Sequence, residues 1–215
     1  MPVKKKASKT VVKRPIKKRR VDKTAKEGTY LGLEYESFCE LSCIYFAEEL
    51  IKAGYATGIA RAASYSLCDP VMNSYAVQLK RGSKQLTQAI SQGVTYTPDF
   101  VIYFTEKAVG KFIWVLGSGK EYNRNLLVAQ ELTPVSYYAC IEVKPDFSRN
   151  STTPKSVQSM KWLYQRHGIF TNLFRPNMMF KGLFVPQKYV LTERGTPRLL
   201  KFKVRNLQEY LKTKT

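Results

Sequence analysis

The sequence predicts an α/β (α+β) fold with a central mixed β-sheet flanked by helices, and three observations carry that prediction. A helical pattern with a glycine stop runs from Tyr35 to Ala53, β-branched and aromatic runs recur between Val101 and Phe174, and a second helical stretch, Pro154 to His167, interrupts them. Helix, strands, helix, strand is the order of an α/β or α+β core. At 215 residues the chain suits one domain with an appendage rather than two domains. Residues 1–27 read as a basic flexible tail and 28–215 as the domain.

Taking the elements in order, YESFCELSCIYFAEELIKA places Phe38, Leu41, Ile44, Tyr45 and Ile51 at helical spacing, and Gly54 ends the helix. Residues 55–95 mix apolar and polar positions without a clear period and predict irregular structure with one or two strands. Val101–Phe104 and Phe112–Leu116 read as a hairpin across a charged, glycine-containing turn. Residues 117–133 read as a loop or a short helix. Tyr137–Lys144 is a strand. Pro154 fits the first turn of a helix that Ser151 or Thr153 caps and Gly168 ends, with Arg166 and His167 in its last turn. A strand at 169–174, a hairpin of 189–192 with 199–204, and a short helix at 206–211 complete the order.

Charge points to a polyanion. Lys and Arg number 36 against 16 Asp and Glu, a formal net charge of +20. Residues 1–30 hold twelve basic side chains and two acids, so half of the excess lies in the tail and half in the rest of the chain. A basic tail alone is a solvated arm; a basic domain as well favours nucleic acid. The run KRPIKKRR, Lys13 to Arg20, serves equally as a localisation signal or as a phosphate-binding arm. No apolar run reaches a membrane span and no secretory signal is present, so no membrane partner and a cytoplasmic location are expected. The four cysteines read as reduced and structural, since the Cys39–Cys43 pair has no second Cys or His pair to complete a zinc site.

His167 is the only histidine, which removes the raw material for a Ser-His-Asp triad or a multi-histidine metal site. Carboxylates and lysines remain, and they suffice for phosphodiester cleavage when the acids hold Mg²⁺ or Mn²⁺. Glu142 and Lys144 are one residue apart on the strand YYACIEVK, so they share a face while Ile141 and Val143 share the other. By itself such a pair is more often a surface ion pair. Asp99, in TPDFVIYF, precedes a strand and is placed to face Glu142, although Pro-Asp is also an ordinary turn. The combination is more specific than either part.

That combination, PDF followed by IEVK, resembles the PD-(D/E)xK nuclease superfamily, which takes in restriction enzymes, transposon endonucleases and phage junction resolvases. The likeness runs from about Leu31 to Phe170, where YLGLEYESFCEL resembles small phage-encoded members. It implies a restriction-endonuclease-like core in which Asp99, Glu142 and the main-chain carbonyl of Val143 bind Mg²⁺ or Mn²⁺ and Lys144 serves the nucleophile. Glu40 would hold a second metal or its water, with Glu36 as substitute; Ser37-x-x-Glu40 is also a capping box. Lys155, Gln158 and Lys161, on the following helix, are candidate contacts to the phosphate. The interval from Asp99 to Glu142 is wide for this family and implies an inserted hairpin or loop.

The function expected is metal-dependent endonucleolytic hydrolysis of DNA, on branched or recombination intermediates for a phage or mobile-element enzyme, with a homodimer where two cuts are needed. Such an enzyme would work in the host cytoplasm or travel in the virion. The alternative is an inactive nucleic-acid-binding or virion-associated protein on the same fold. An RNA-binding protein that stacks bases on its aromatics is the weaker third reading, since these aromatics follow core patterns. Clustered acids in a metal-free site should have raised pKa values.

Overall fold

The computed structural model describes residues 27–146, 154–192 and 195–214. The basic tail except Glu27, and the candidate caps Ser151 and Thr153, lie outside the described residues. The chain enters through a small hairpin, β1 (Gly28–Tyr30) and β2 (Leu33–Tyr35), around Leu31 and Gly32 at φ 52° and 76°. Two positive φ values in a two-residue turn give a twist that matches the strands.

Helix α1 (Phe38–Lys52) begins at Ser37, whose hydroxyl accepts the Glu40 N–H at 3.2 Å, and stops before Gly54 at φ 74°. Its buried face carries Cys43, Ile44, Phe46, Ala47 and Leu50. The chain then runs through β3 (Ala56–Arg61), β4 (Tyr65–Cys68), β5 (Val71–Leu79), β6 (Gly82–Ser91), β7 (Val94–Tyr96) and β8 (Phe100–Thr105). A short 3₁₀ turn precedes β9 (Ile113–Val115), β10 (Leu127–Thr133) and β11 (Ser136–Val143). Helix α2 (Pro154–His167), β12 (Thr171–Phe174), α3 (Pro176–Gly182), α4 (Gln187–Val190) and α5 (Leu207–Lys212) follow.

The fold is mixed α+β around a six-stranded mixed sheet of order β3-β8-β11-β10-β9, with β12 also on β11. Strand β11 shares one edge between two neighbours: β10 lies antiparallel to its first residues and β12 parallel to Cys140–Val143. Asn172 fills the junction, its side chain accepting the Val128 N–H at 2.7 Å and donating to the carbonyls of Val128 and Cys140 at 2.8 and 3.1 Å. Those bonds satisfy backbone groups that the ladder leaves open where β10 departs.

Phe100, Ile102, Ala139 and Ile141 face α1, and Phe46 of that helix meets Phe174, Phe180 and Phe184 with ring centroids 5.7, 6.3 and 5.1 Å away. This aromatic centre is the core. On the opposite face Tyr96 of β7 reaches Glu142 of β11; β7 pairs with β4, and α2 packs on both, with Arg166 bonded to Asp69 at 2.6 Å and His167 to the Ser66 carbonyl at 2.7 Å. No helix among the described residues is long and apolar enough to cross a membrane.

Four local expectations change. Val101–Phe104 and Phe112–Leu116 do not form a hairpin, because both edges of β8 are taken by β3 and β11; β9 pairs parallel with β10 instead. Residues 117–133 are not loop or helix throughout, since Leu127–Thr133 is a strand. Residues 55–95 hold β3 to β7 rather than one or two strands. The expected C-terminal hairpin reduces to one bridge, Leu191 with Pro197, beside the short α4.

Candidate active site

Asp99 occupies the bend that leads into β8. Ile141 pairs with Phe100 in the antiparallel register, so one step further brings Asp99 beside Glu142, on the face opposite α1. The side chain of Asp99 turns to β11 and its Oδ2 accepts the Val143 N–H at 2.6 Å. In an extended strand the C=O of a residue leaves on the same side as its N–H, so the Val143 carbonyl is turned to the same edge.

Glu142 is only 6% exposed, and both of its oxygens are engaged. Oε1 accepts from Lys144 Nζ at 2.5 Å and Oε2 from the Tyr96 hydroxyl at 2.7 Å. The Lys144 N–H donates to the Phe174 carbonyl at 2.9 Å, extending the β11–β12 ladder by one residue and keeping the lysine on the Glu142 face. The expected alternation therefore holds here: Glu142 and Lys144 together, Ile141 and Val143 packed in the core.

Glu40 comes from the first turn of α1. Its carboxylate accepts from the Ser37 hydroxyl and the Glu36 N–H, both at 3.3 Å, and from Arg61 at 3.0 Å. Capping and the approach to Asp99 thus coexist in one side chain. Glu36 is exposed and contributes its main-chain N–H rather than its carboxylate. Arg61, the last residue of β3, also donates to the carbonyls of Glu34 at 2.6 Å and Asp99 at 3.4 Å, and lies 4.6 Å over the Phe100 ring.

Burial pushes the Asp99 carboxyl up to about 6, and the negative charges of Glu142 and Glu40 add to it; the Val143 N–H and Lys144 pull the other way. Burial, then the bond to Glu142, also raises the Tyr96 hydroxyl, which stays a proton donor to the carboxylate. Cys43, behind Asp99 and Glu40, is raised by burial and then by those two charges, so it remains a thiol packed in the core and is no nucleophile. All four cysteines are free.

Among the described residues no three His, Cys, Asp or Glu side chains are gathered as a ready metal cage. Magnesium does not require one, since it is commonly held by one or two carboxylates, with water and substrate phosphate completing its shell. Asp99 and Glu142 are hard oxygen donors of that type, and burial, with the charges of Glu142 and Glu40 added to it, raises the proton affinity of Asp99.

Lys155, Gln158 and Lys161 are exposed along α2. No hydrogen bond or ion pair among the described residues joins them to Asp99, Glu142 or Lys144. Lys161 instead borders an apolar groove of about 500 Å³ with Val157, Met160, Tyr164, Phe170 and Leu173. Sequence reasoning missed Tyr96 and Arg61. A lone arginine closing the apolar run of β3 is a signal for Arg61; Tyr96 has none, because its partner is 46 residues away. Compared with known proteins, the chain matches no family model, no curated protein and no solved structure.

Proposed function

We propose that this chain is a metal-dependent endonuclease of the PD-(D/E)xK kind that hydrolyses DNA phosphodiesters. The observation that carries the reading is the convergence of Asp99, Glu142 and Lys144 on adjacent strands, through the 2.6 Å bond from Val143 to Asp99 and the 2.5 Å bond from Lys144 to Glu142. Asp99, Glu142 and the Val143 carbonyl would hold Mg²⁺ or Mn²⁺, with Glu40 reaching its water or a second ion. When bound, the metal supplies a water of lowered pKa and positive charge against the phosphate.

The protein's own groups divide the remaining work. Tyr96 holds Glu142 in one orientation, and Arg61 does the same for Glu40 while gripping the Asp99 main chain. Lys144 positions the attacking water and offsets the charge that builds on the phosphoryl oxygens, a task suited to a partly buried ammonium in a site without histidine. The net charge of +20 holds a polyanion that the acids alone would repel. Lys155, Gln158 and Lys161 are available to flanking phosphates, and a dimer would place two sites on one branched substrate.

The test is incubation of purified protein with plasmid, linear duplex and four-way-junction DNA in Mg²⁺, Mn²⁺ or EDTA. Cleavage in metal and none in EDTA is expected, and the preferred substrate identifies the DNA form. Tight binding with no cleavage of any substrate would favour the inactive DNA-binding alternative.

A further inference from the structure

Strands β5 and β6 pair with each other from Val71 with Ser91 at the root to Leu79 with Gly82 at the tip, and with no other strand among the described residues. Almost every residue along them is exposed. A two-stranded ribbon buries too little surface to be favourable alone, so one this long is explained by what it grips rather than by what it adds to the core.

Its chemistry selects the partner. Between Asp69 and Asp99 there is no acidic residue, and the three basic residues in that interval, Lys80, Arg81 and Lys84, all sit at the tip. The pairing puts Ser74, Ala76 and Gln78 opposite Thr87, Gln85 and Ser83 on one face. That face is narrow and uncharged, and it is rich in hydroxyl and amide groups; Ser74 and Thr87 already share a hydrogen bond at 3.2 Å. Serine, threonine and glutamine are side chains that read base edges, and a two-stranded ribbon fits a B-form major groove about 12 Å wide. At about 3.4 Å per residue the strands span about 30 Å, close to one turn of duplex.

The root leads to the candidate site. β6 passes through β7 to Tyr96, which bonds Glu142, and then to Asp99 itself. A duplex held along the ribbon is thereby tethered to the acids by a few residues of chain. Self-pairing of two copies through exposed Val71, Met72, Tyr75 and Ile90 is the competing use. Charge disfavours it, because two copies of a protein of net charge +20 repel each other.

We propose that the β5–β6 ribbon is a duplex-gripping arm that lies in the major groove of DNA, its Ser74, Gln78, Gln85 and Thr87 face to the bases and Lys80, Arg81 and Lys84 on the phosphates. The proposal rests on the nucleic-acid part of the reading above and not on hydrolysis.

The experiment measures binding of the full chain to a short labelled duplex and to a single strand of the same sequence, in EDTA, over a salt series. The triple variant Lys80→Ala, Arg81→Ala, Lys84→Ala should bind duplex at least tenfold more weakly, with its salt slope reduced by about 3 and single-strand binding little changed. Unchanged circular dichroism and melting temperature would show that the fold is intact. Duplex binding by the wild type with an unchanged slope in the variant would overturn the arm while leaving the nucleic-acid reading in place. Equal losses on single strand and duplex would overturn the groove seating. A dimer that Tyr75→Ser abolishes at unchanged duplex affinity would give the ribbon to self-association and overturn the proposal. Absence of any duplex binding by the wild type would remove both readings.

Discussion

The main-chain N–H of Val143 donates to Oδ2 of Asp99 across 2.6 Å, joining the lead-in of β8 to the end of β11 where the two strands stop pairing. A hydrogen bond to the ionised form favours ionisation, yet the Asp99 carboxyl stands at about 6 because burial outweighs the bond and Glu142 and Glu40 add to burial. Asp99 is thus oriented by the backbone and held towards its protonated form by burial.

The first prediction concerns pH. Since the folded Asp99 binds its proton more tightly than an ordinary aspartate of pKa 3.8, its contribution to metal-free stability is full below about pH 4 and is lost as pH rises through about 6. The loss is on the order of 2–3 kcal/mol. Asp99→Asn, which keeps an oxygen for the Val143 N–H, removes it. Urea unfolding in EDTA should find the variant at least as stable as wild type at pH 8, with the advantage shrinking towards pH 4. Added Mg²⁺ should then stabilise wild type and leave the variant unchanged. A wild type that gains on the variant as pH rises would contradict this account of Asp99.

The second concerns Tyr96. Tyr96→Phe keeps the ring and removes one donor from a carboxylate that is only 6% exposed. The expected cost is about 1–3 kcal/mol of stability. If Tyr96 positions Glu142, the Mg²⁺ concentration for half-maximal cleavage should rise as well. An unchanged metal requirement beside reduced stability would confine Tyr96 to a structural role.

The third concerns Arg61, whose guanidinium bridges Glu40, Glu34 and Asp99 and covers Phe100. Lysine reproduces the charge and not the fork, so Arg61→Lys should fail to restore what Arg61→Ala loses. A double-mutant cycle of Arg61→Ala with Glu40→Gln should show a coupling of about 1 kcal/mol or more. Additive effects would mean that the 3.0 Å pair does not hold Glu40 in solution.

The fourth compares places in the fold. Phe46→Ala opens the aromatic centre and should cost about 3–5 kcal/mol. Tyr75→Ala, on the exposed ribbon at 41% exposure, should change stability by less than about 0.5 kcal/mol. Equal effects on chemical denaturation would place the ribbon in a larger buried unit.

What was legible in the sequence depended on how local its cause was. α1 was readable because its cap, its periodic apolar face and its glycine stop lie within one segment; α2 was readable from Pro154 at its start and Gly168 beyond its end. The strand face shared by Glu142 and Lys144 was readable because alternation is a property of extended chain. β10 was not: Leu126–Ala129 is a continuous buried apolar run followed by Gln and Glu, which a short helix would also show. The β8–β9 hairpin failed because pairing is decided by which edges are free, and β3 and β11, both distant in sequence, hold the two edges of β8. Tyr96 and Arg61 were missed for the same reason, since their roles exist only once distant strands meet.

The most direct test is the rate of supercoiled-plasmid cleavage in Mg²⁺ by wild type, Asp99→Asn and Lys144→Ala at equal concentration, each shown to be folded by its melting curve. The account predicts cleavage by wild type that EDTA abolishes, with each variant slower by about a hundredfold or more, as expected when a charge-stabilising group is removed from a hydrolytic site. Undiminished cleavage by either variant would contradict it.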